Sequence, residues 1–165
     1  MKRLLIAAGV AASLMLNGLA PGLAAAQPDA PVSAAHSQQR GPVEVVVWNI
    51  RRGLGHVRVA VCTRLTFANP HRECPYHGDA PAQAGTTTVV VPDVPAGTYA
   101  VQVFQDERDV NVIRRGPLGV PLEGIGFSND AAVPLTGPRF KDAAFDHDPA
   151  SPLTLRLKLR YFPDL

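Results

Sequence analysis

The chain has 165 residues, 16 Lys and Arg against 14 Asp and Glu, and a formal charge of +2. Lys2 and Arg3 sit in a segment expected to be removed, so the rest is close to neutral and lacks the basicity that would attract nucleic acid. Sixteen prolines and fourteen glycines leave little room for long helices.

In chain order, residues 1–26 combine a charged start, an apolar run and the small-residue stretch "LAAAQ", the pattern of a signal peptide cleaved after Ala26. Asn17, Gly18, Pro21 and Gly22 interrupt that run short of the roughly 20 apolar residues of a membrane span. No stable membrane span is expected, and a periplasmic or extracellular location is. Residues 27–41, "QPDAPVSAAHSQQRG", are small and polar without periodicity and read as a disordered leader. Residues 42–163 then form a single domain, long enough to bury roughly two-thirds of its extended-chain surface.

"VEVVVWNI" at 43–50 is apolar on both faces and reads as a deeply buried strand. "RRGLG" turns the chain and "HVRVAVC" returns, a pair expected to form a hairpin. Cys62 and Cys74 are the two cysteines, an even count that in an exported domain suggests one disulfide. The competing reading takes His71, Cys74 and His77 in "HRECPYHGD" as soft-metal ligands, with Asp79 close by. "TTTVVVP" at 86–92 and "TYAVQVFQ" at 98–105 are two further strands separated by a turn.

"VFQDERDVN" leaves the second of these and places Asp106, Glu107, Asp109 and Asn111 within six residues. Clustered oxygens on a loop can hold a hard cation, although Gly and Glu are missing from the positions an EF-hand needs. The stretch "GVPLEGIGFSND" at 119–130 reads as a shaped loop. Gly119, Gly124 and Gly126 supply positive φ, Pro121 a bend and Phe127 an inward anchor, while Ser128 and Asn129 bond nearby backbone. A short strand is expected near 131–136 and a short helix near 140–146. "RFKDAAFDHDP" groups Asp142, Asp146, His147 and Asp148, but no nucleophile elbow, zinc-protease motif or phosphate loop accompanies them. "LTLRLKLRY" closes the chain, with Leu153, Leu155, Leu157, Leu159 and Tyr161 on one face of a half-buried antiparallel strand. Arg156, Lys158 and Arg160 form its solvent face, where charge discourages aggregation.

Four ordered stretches, "VEVVVWNIRRGLGHVRVAVC", "VPAGTYAVQVFQDE", "LGVPLEGIGFSND" and "GPRFKDAAF", resemble the bacterial domain-of-unknown-function family 2141. The resemblance covers roughly 43–161 and implies an immunoglobulin-like or transthyretin-like sandwich. In many relatives an acidic, glycine-rich loop suggesting calcium follows the Tyr-Ala-Val strand. Here Asp106 and Glu107 match, but Gln105 stands where a histidine is usual, the inner glycines are gone, and Asp109 and Asn111 have no clean equivalents.

The expectation is therefore an all-β antiparallel sandwich of about seven short strands, with long loops and at most one short helix. An open barrel is the alternative. The function expected is a non-enzymatic, exported binding or accessory module of the cell envelope, acting through loops 105–130 and 139–148. Asp106, Glu107, Asp109, Glu123, Ser128, Asn129 and Asp142 are the candidate ligand-binding residues. The partner would be an envelope glycan, a protein or a small ligand, with no resident cofactor. The alternatives are a calcium-like or zinc/copper-binding protein and a hydrolase built on His147 and a neighbouring aspartate.

Overall fold

A computed structural model describes residues 39–134 and 137–162, which fall within one compact unit spanning Ala35–Leu165. The expected signal peptide and most of the expected leader lie outside the described residues. So do residues 135 and 136 of the strand expected near 131–136; residues 131–134 are not strand.

Among the described residues, eight strands form two sheets that do not close into a barrel. The strands are β1 (Arg40–Ile50), β2 (His56–Cys62), β3 (Tyr76–Pro81), β4 (Gly85–Pro95), β5 (Gly97–Asp106), β6 (Ile125–Phe127), β7 (Ala144–His147) and β8 (Thr154–Lys158). One sheet has the order β4-β1-β8, the other β3-β2-β5-β6. β6 pairs with Gln102–Phe104 and β7 with Gly97–Ala100, so the two short strands share one edge of β5 in tandem. The helix α1 is a single turn, Phe140–Ala143. The sandwich class expected from the alternation is the one that forms.

Valine spacing builds the core. Val43, Val45 and Val47 of β1 are fully buried, as are Val57 and Val61 of β2, Val89 and Val91 of β4, Val101 of β5, and Leu157 and Leu159 at the C-terminal end. Each such side chain contributes about 1.5–3 kcal/mol of transfer free energy. The opposite face of β1 is more open than expected: Val46 is half-buried and Trp48 exposed. This sheet is covered on one side only, so a central strand in it still has a solvent face.

Three expectations fail in instructive ways. β1 and β2 do not form a hairpin; they lie in different sheets, and "RRGLG" crosses from one to the other. Two apolar strand faces can meet side by side or across a core, and alternation does not distinguish the two. The crossover is tied to the end of β5, where Gln105 Nε2 donates to the carbonyls of Arg52 (2.7 Å) and Leu54 (3.0 Å). Gly55 adopts φ +63°, and a Cβ there would lie 1.8 Å from the Asp106 carbonyl oxygen. Secondly, β8 pairs with β1 in parallel, from Glu44↔Thr154 to Trp48↔Lys158, not antiparallel. Thirdly, the helix near 140–146 stops at Ala143, where the chain extends into β7. β3 was not expected at all, because Gly78 and Pro81 break its pattern. Gly78 is required there, since a Cβ would sit 2.5 Å from the Val90 carbonyl oxygen of the facing sheet.

The disulfide forms: Cys62 and Cys74 are bonded with a Cα–Cα distance of 4.6 Å. Around them Phe67, Ala100, Ile125, Phe127 and Ala143 make a second buried cluster. The Phe67 ring meets Phe127 edge-on at 5.7 Å between centroids, so Phe127 is the anchor it was expected to be.

Candidate functional site

Because β1 and β8 run parallel, both arrive at the same end of the sandwich. β5 finishes there at Asp106, and β2 starts there at His56. The crossover 51–55, the loop leaving β5 and the C-terminal stretch 159–162 therefore converge.

At this end the acidic residues are turned to protein donors. The Asp106 carboxylate, with a side chain 0% exposed, accepts Arg58 Nε at 2.8 Å. It also accepts the backbone N–H groups of Val110 (3.1 Å) and Asn111 (2.7 Å). Burial pushes this carboxyl up, but the Arg58 and backbone hydrogen bonds outweigh it and hold Asp106 below the usual carboxylate value. Glu107 pairs with Arg52 at 3.0 Å, and Asp109 meets His56 Nδ1 at 2.6 Å. Glu123, also with a fully buried side chain, accepts Arg114 Nε at 2.9 Å. Among the described residues no group of three His, Cys, Asp or Glu side chains is placed to hold a metal ion. Cys74 is committed to its disulfide and is not a thiolate.

The other candidates lie elsewhere. Ser128 Oγ accepts the Val101 N–H at 2.8 Å and donates to the Ala143 carbonyl. Asn129 Nδ2 donates to the Ala144 carbonyl at 2.8 Å. Ser128 thus ties α1 to β5, and Asn129 holds the junction of α1 and β7. Asp142 pairs with Arg139 at 2.7 Å on the surface. His147 is buried, with Nε2 3.1 Å from the Val94 carbonyl oxygen, and so faces backbone instead of a carboxylate. It lies beside Gly97, the start of β5, roughly 30 Å along the strand from Asp106 at about 3.4 Å per residue. Loops 105–130 and 139–148 therefore meet at Ser128 and Asn129, while Asp106 and His147 lie at opposite ends of β5.

What the convergence makes is a groove of about 450 Å³. Arg51 and Arg52 contribute to it from the crossover, Glu107 from the turn after β5, Pro117, Pro121 and Leu122 from the loop that follows, and Tyr161 and Phe162 from the C-terminal end. Tyr161 holds the parts together: its hydroxyl donates to Gln105 Oε1 at 2.9 Å and accepts the Arg51 N–H at 3.2 Å. The Arg51 guanidinium stacks 4.3 Å from the ring centroid. Burial raises the Tyr161 hydroxyl above its usual value; the Arg51 N–H opposes this and the Glu107 charge adds to it.

The stretch 119–130 shapes this end. Gly119 takes φ +74°, as expected, but Gly124 and Gly126 are there for space. A Cβ at Gly124 would sit 2.7 Å from the Tyr161 ring, and one at Gly126 would sit 2.6 Å from the Lys158 carbonyl oxygen.

Of the expected site residues only Glu107 lines the groove. The sequence reading missed Arg51 and Arg52, taken as turn residues, and Tyr161, taken as core. Their types were visible, but Arg51 and Tyr161 are 110 positions apart, and only the parallel pairing of β8 brings them together.

The fold and this end of it define a β-sandwich domain carrying a polar-and-apolar groove. The chain belongs to the bacterial family DUF2141 of uncharacterised conserved proteins, whose family model matches residues 45–152. Comparison with curated proteins and with solved structures gives no match. Among the described residues no helix is long and apolar enough to cross a membrane.

Proposed function

We propose that the chain is an exported, non-enzymatic binding module that takes a small ligand, or one residue of an envelope glycan or protein, in the groove formed by the 51–55 crossover and the 116–122 loop. One observation carries this reading: the groove is preformed, because the buried Gln105–Tyr161 pair fixes its parts. At about 450 Å³ it lies within the roughly 300–1,000 Å³ range of small-molecule sites, with the usual mix of apolar lining and few polar groups. Export is supported by the sequence of residues 1–26, with which the disulfide is compatible.

The test is a titration with the neutral fluorophore N-phenyl-1-naphthylamine. One saturable site is expected, weakened about tenfold or more in Leu122→Asp. Leu122 is 58% exposed, so the substitution perturbs the groove and leaves the core alone. Absence of saturable binding, or equal binding by the variant, would sink the reading.

A further inference from the structure

We infer that the outer edge of β8 is a docking site for an acidic, extended polypeptide segment of a partner protein, which joins the β4-β1-β8 sheet as a further strand. β8 ends its sheet and has β1 on one side only. The parallel pairing fixes which of its main-chain groups face β1. Glu44 N–H donates to the Leu153 carbonyl at 3.2 Å, and Leu159 N–H donates to the Trp48 carbonyl at 2.9 Å. With a two-residue period, 153, 155, 157 and 159 turn their N–H and C=O groups to β1, while 154, 156, 158 and 160 turn theirs away. Two of these four outward positions are engaged within the domain. Arg160 exchanges two bonds with Ile125, at 2.8 and 2.9 Å, and the Lys158 N–H donates to Asp130 Oδ1 at 2.8 Å. Among the described residues no group pairs with the outward N–H and C=O of Thr154 and Arg156. Neither residue lines the groove.

An unpaired edge is a template for another strand, and edges that must stay bare are usually blunted. The opposite edge of this sheet is. β4 carries Pro92 and Pro95, and β3 runs so close to it that a Cβ at Gly78 would lie 2.5 Å from the Val90 carbonyl oxygen. Residues 154–156 have no proline, and their register with β1 is unbroken. Side chains then select the occupant. Arg156 is exposed, sits beside Val46 on the outer face and, among the described residues, forms no ion pair. Of the nearby carboxylates, Glu44 accepts the Thr154 hydroxyl at 3.1 Å, and Asp130 closes the edge at Lys158, so an incoming strand stops short of it. Such a strand sets one residue across from Arg156, where Glu or Asp makes a cross-strand pair. Its alternate residues fall beside Leu155, which is half-buried at the rim of the core, and an apolar side chain fits there. A second copy of β8 is disfavoured, because antiparallel pairing through this window puts two Arg156 side chains opposite or diagonal to each other on one face. The segment therefore alternates acidic and apolar residues, with main-chain bonds giving affinity and Arg156 giving choice.

The test is fluorescence anisotropy of a short labelled peptide that alternates Glu and Val. Saturable binding is expected, about tenfold or more tighter than for the same peptide with Lys in place of Glu. Of two versions N-methylated on every Glu or on every Val, one should bind about tenfold or more weakly, and which one reports antiparallel or parallel addition. Arg156→Pro removes an N–H that has no bond within the domain, so it should abolish peptide binding while the melting temperature stays within about 2 °C. Arg156→Glu should reverse the preference in favour of the Lys peptide, which keeps the charge readout if the proline variant fails to fold. Absence of saturable binding, equal binding by both N-methylated peptides, or no reversal in Arg156→Glu overturns the inference. Concentration-dependent dimerisation of the protein alone, lost in Arg156→Pro, overturns it too, since the occupant would then be a second copy.

Discussion

Asp106 shows how a residue type that suggests a cation site can be spent on the fold. Its carboxylate is wholly buried, and the desolvation is offset by Arg58 and by two N–H groups of the turn it begins. That turn needs the help, since Asp109 and Asn111 both adopt positive φ, 53° and 59°. A folded-state pKa lowered below the unfolded value near 3.9 means stability that is fully present above about pH 4 and is lost as pH falls through the folded value. Asp106→Asn should therefore cost roughly 2–4 kcal/mol at pH 7, because Arg58 loses its counter-charge. It should also flatten the acid limb of a stability–pH curve measured by urea unfolding. An unchanged acid limb would show that other carboxylates control it. Asp109 is a contrast: its side chain is 48% exposed, and a surface pair of that kind contributes about 0–1 kcal/mol. The sequence displayed the carboxylates of this loop but not their partners. Arg58 is 48 positions from Asp106, and nothing local distinguishes a carboxylate aimed at a guanidinium from one aimed at solvent.

At the scale of elements, alternation located β2 and β8, because burying one face imposes a two-residue period, while an apolar run marked β1 and β-branched and aromatic runs bounded by turns marked β4 and β5. Alternation is blind to strand direction and to which sheet a strand joins. Hence the crossover at 51–55 passed for a hairpin turn, and β8 for an antiparallel strand. The others were missed for other reasons: Gly78 and Pro81 break the pattern of β3, and β6 and β7 have three and four residues, too few for a period to show, and are held by their neighbours. The Cys62–Cys74 bridge belongs to this scale, since it pins the end of β2 to the segment that leads into β3 and closes the second buried cluster. With the cysteines 12 positions apart, chain-entropy reasoning assigns it about 3 kcal/mol. The Cys62→Ala/Cys74→Ala double variant should melt about 10 °C lower than the oxidised protein in calorimetry. A difference within about 2 °C would mean that the phenylalanine cluster holds this region without the bond.

For the whole molecule, the legible part was the class of fold, and the illegible part was the groove, whose residues are assembled from both ends of the domain. The same long-range assembly sets the alkaline limit of stability. Tyr161 is buried against Gln105 where β5 ends, and Tyr99 is buried near where β5 begins, edge-on to Tyr76 with ring centroids 5.8 Å apart. Burial raises both hydroxyls above their usual value; at Tyr99 the neighbouring Tyr76 adds to this and Arg40 opposes it. For a group whose folded pKa is raised, the stability it contributes is complete below the unfolded value near 10 and is lost as pH rises through the folded value. The melting temperature should therefore hold steady to about pH 10 and then fall steeply. Tyr161→Phe should lose about 1–2 kcal/mol at neutral pH, since Gln105 Oε1 and the Arg51 N–H lose a partner, yet fall less steeply above pH 10. Tyr99→Phe should soften the same limb from the other end of the strand, and the double variant should soften it most. Two distant phenols acting on one cooperative transition give additive changes. If the double variant follows the wild-type alkaline slope, neither tyrosine sets that limit and the buried Gln105–Tyr161 pair is not what fixes the groove end.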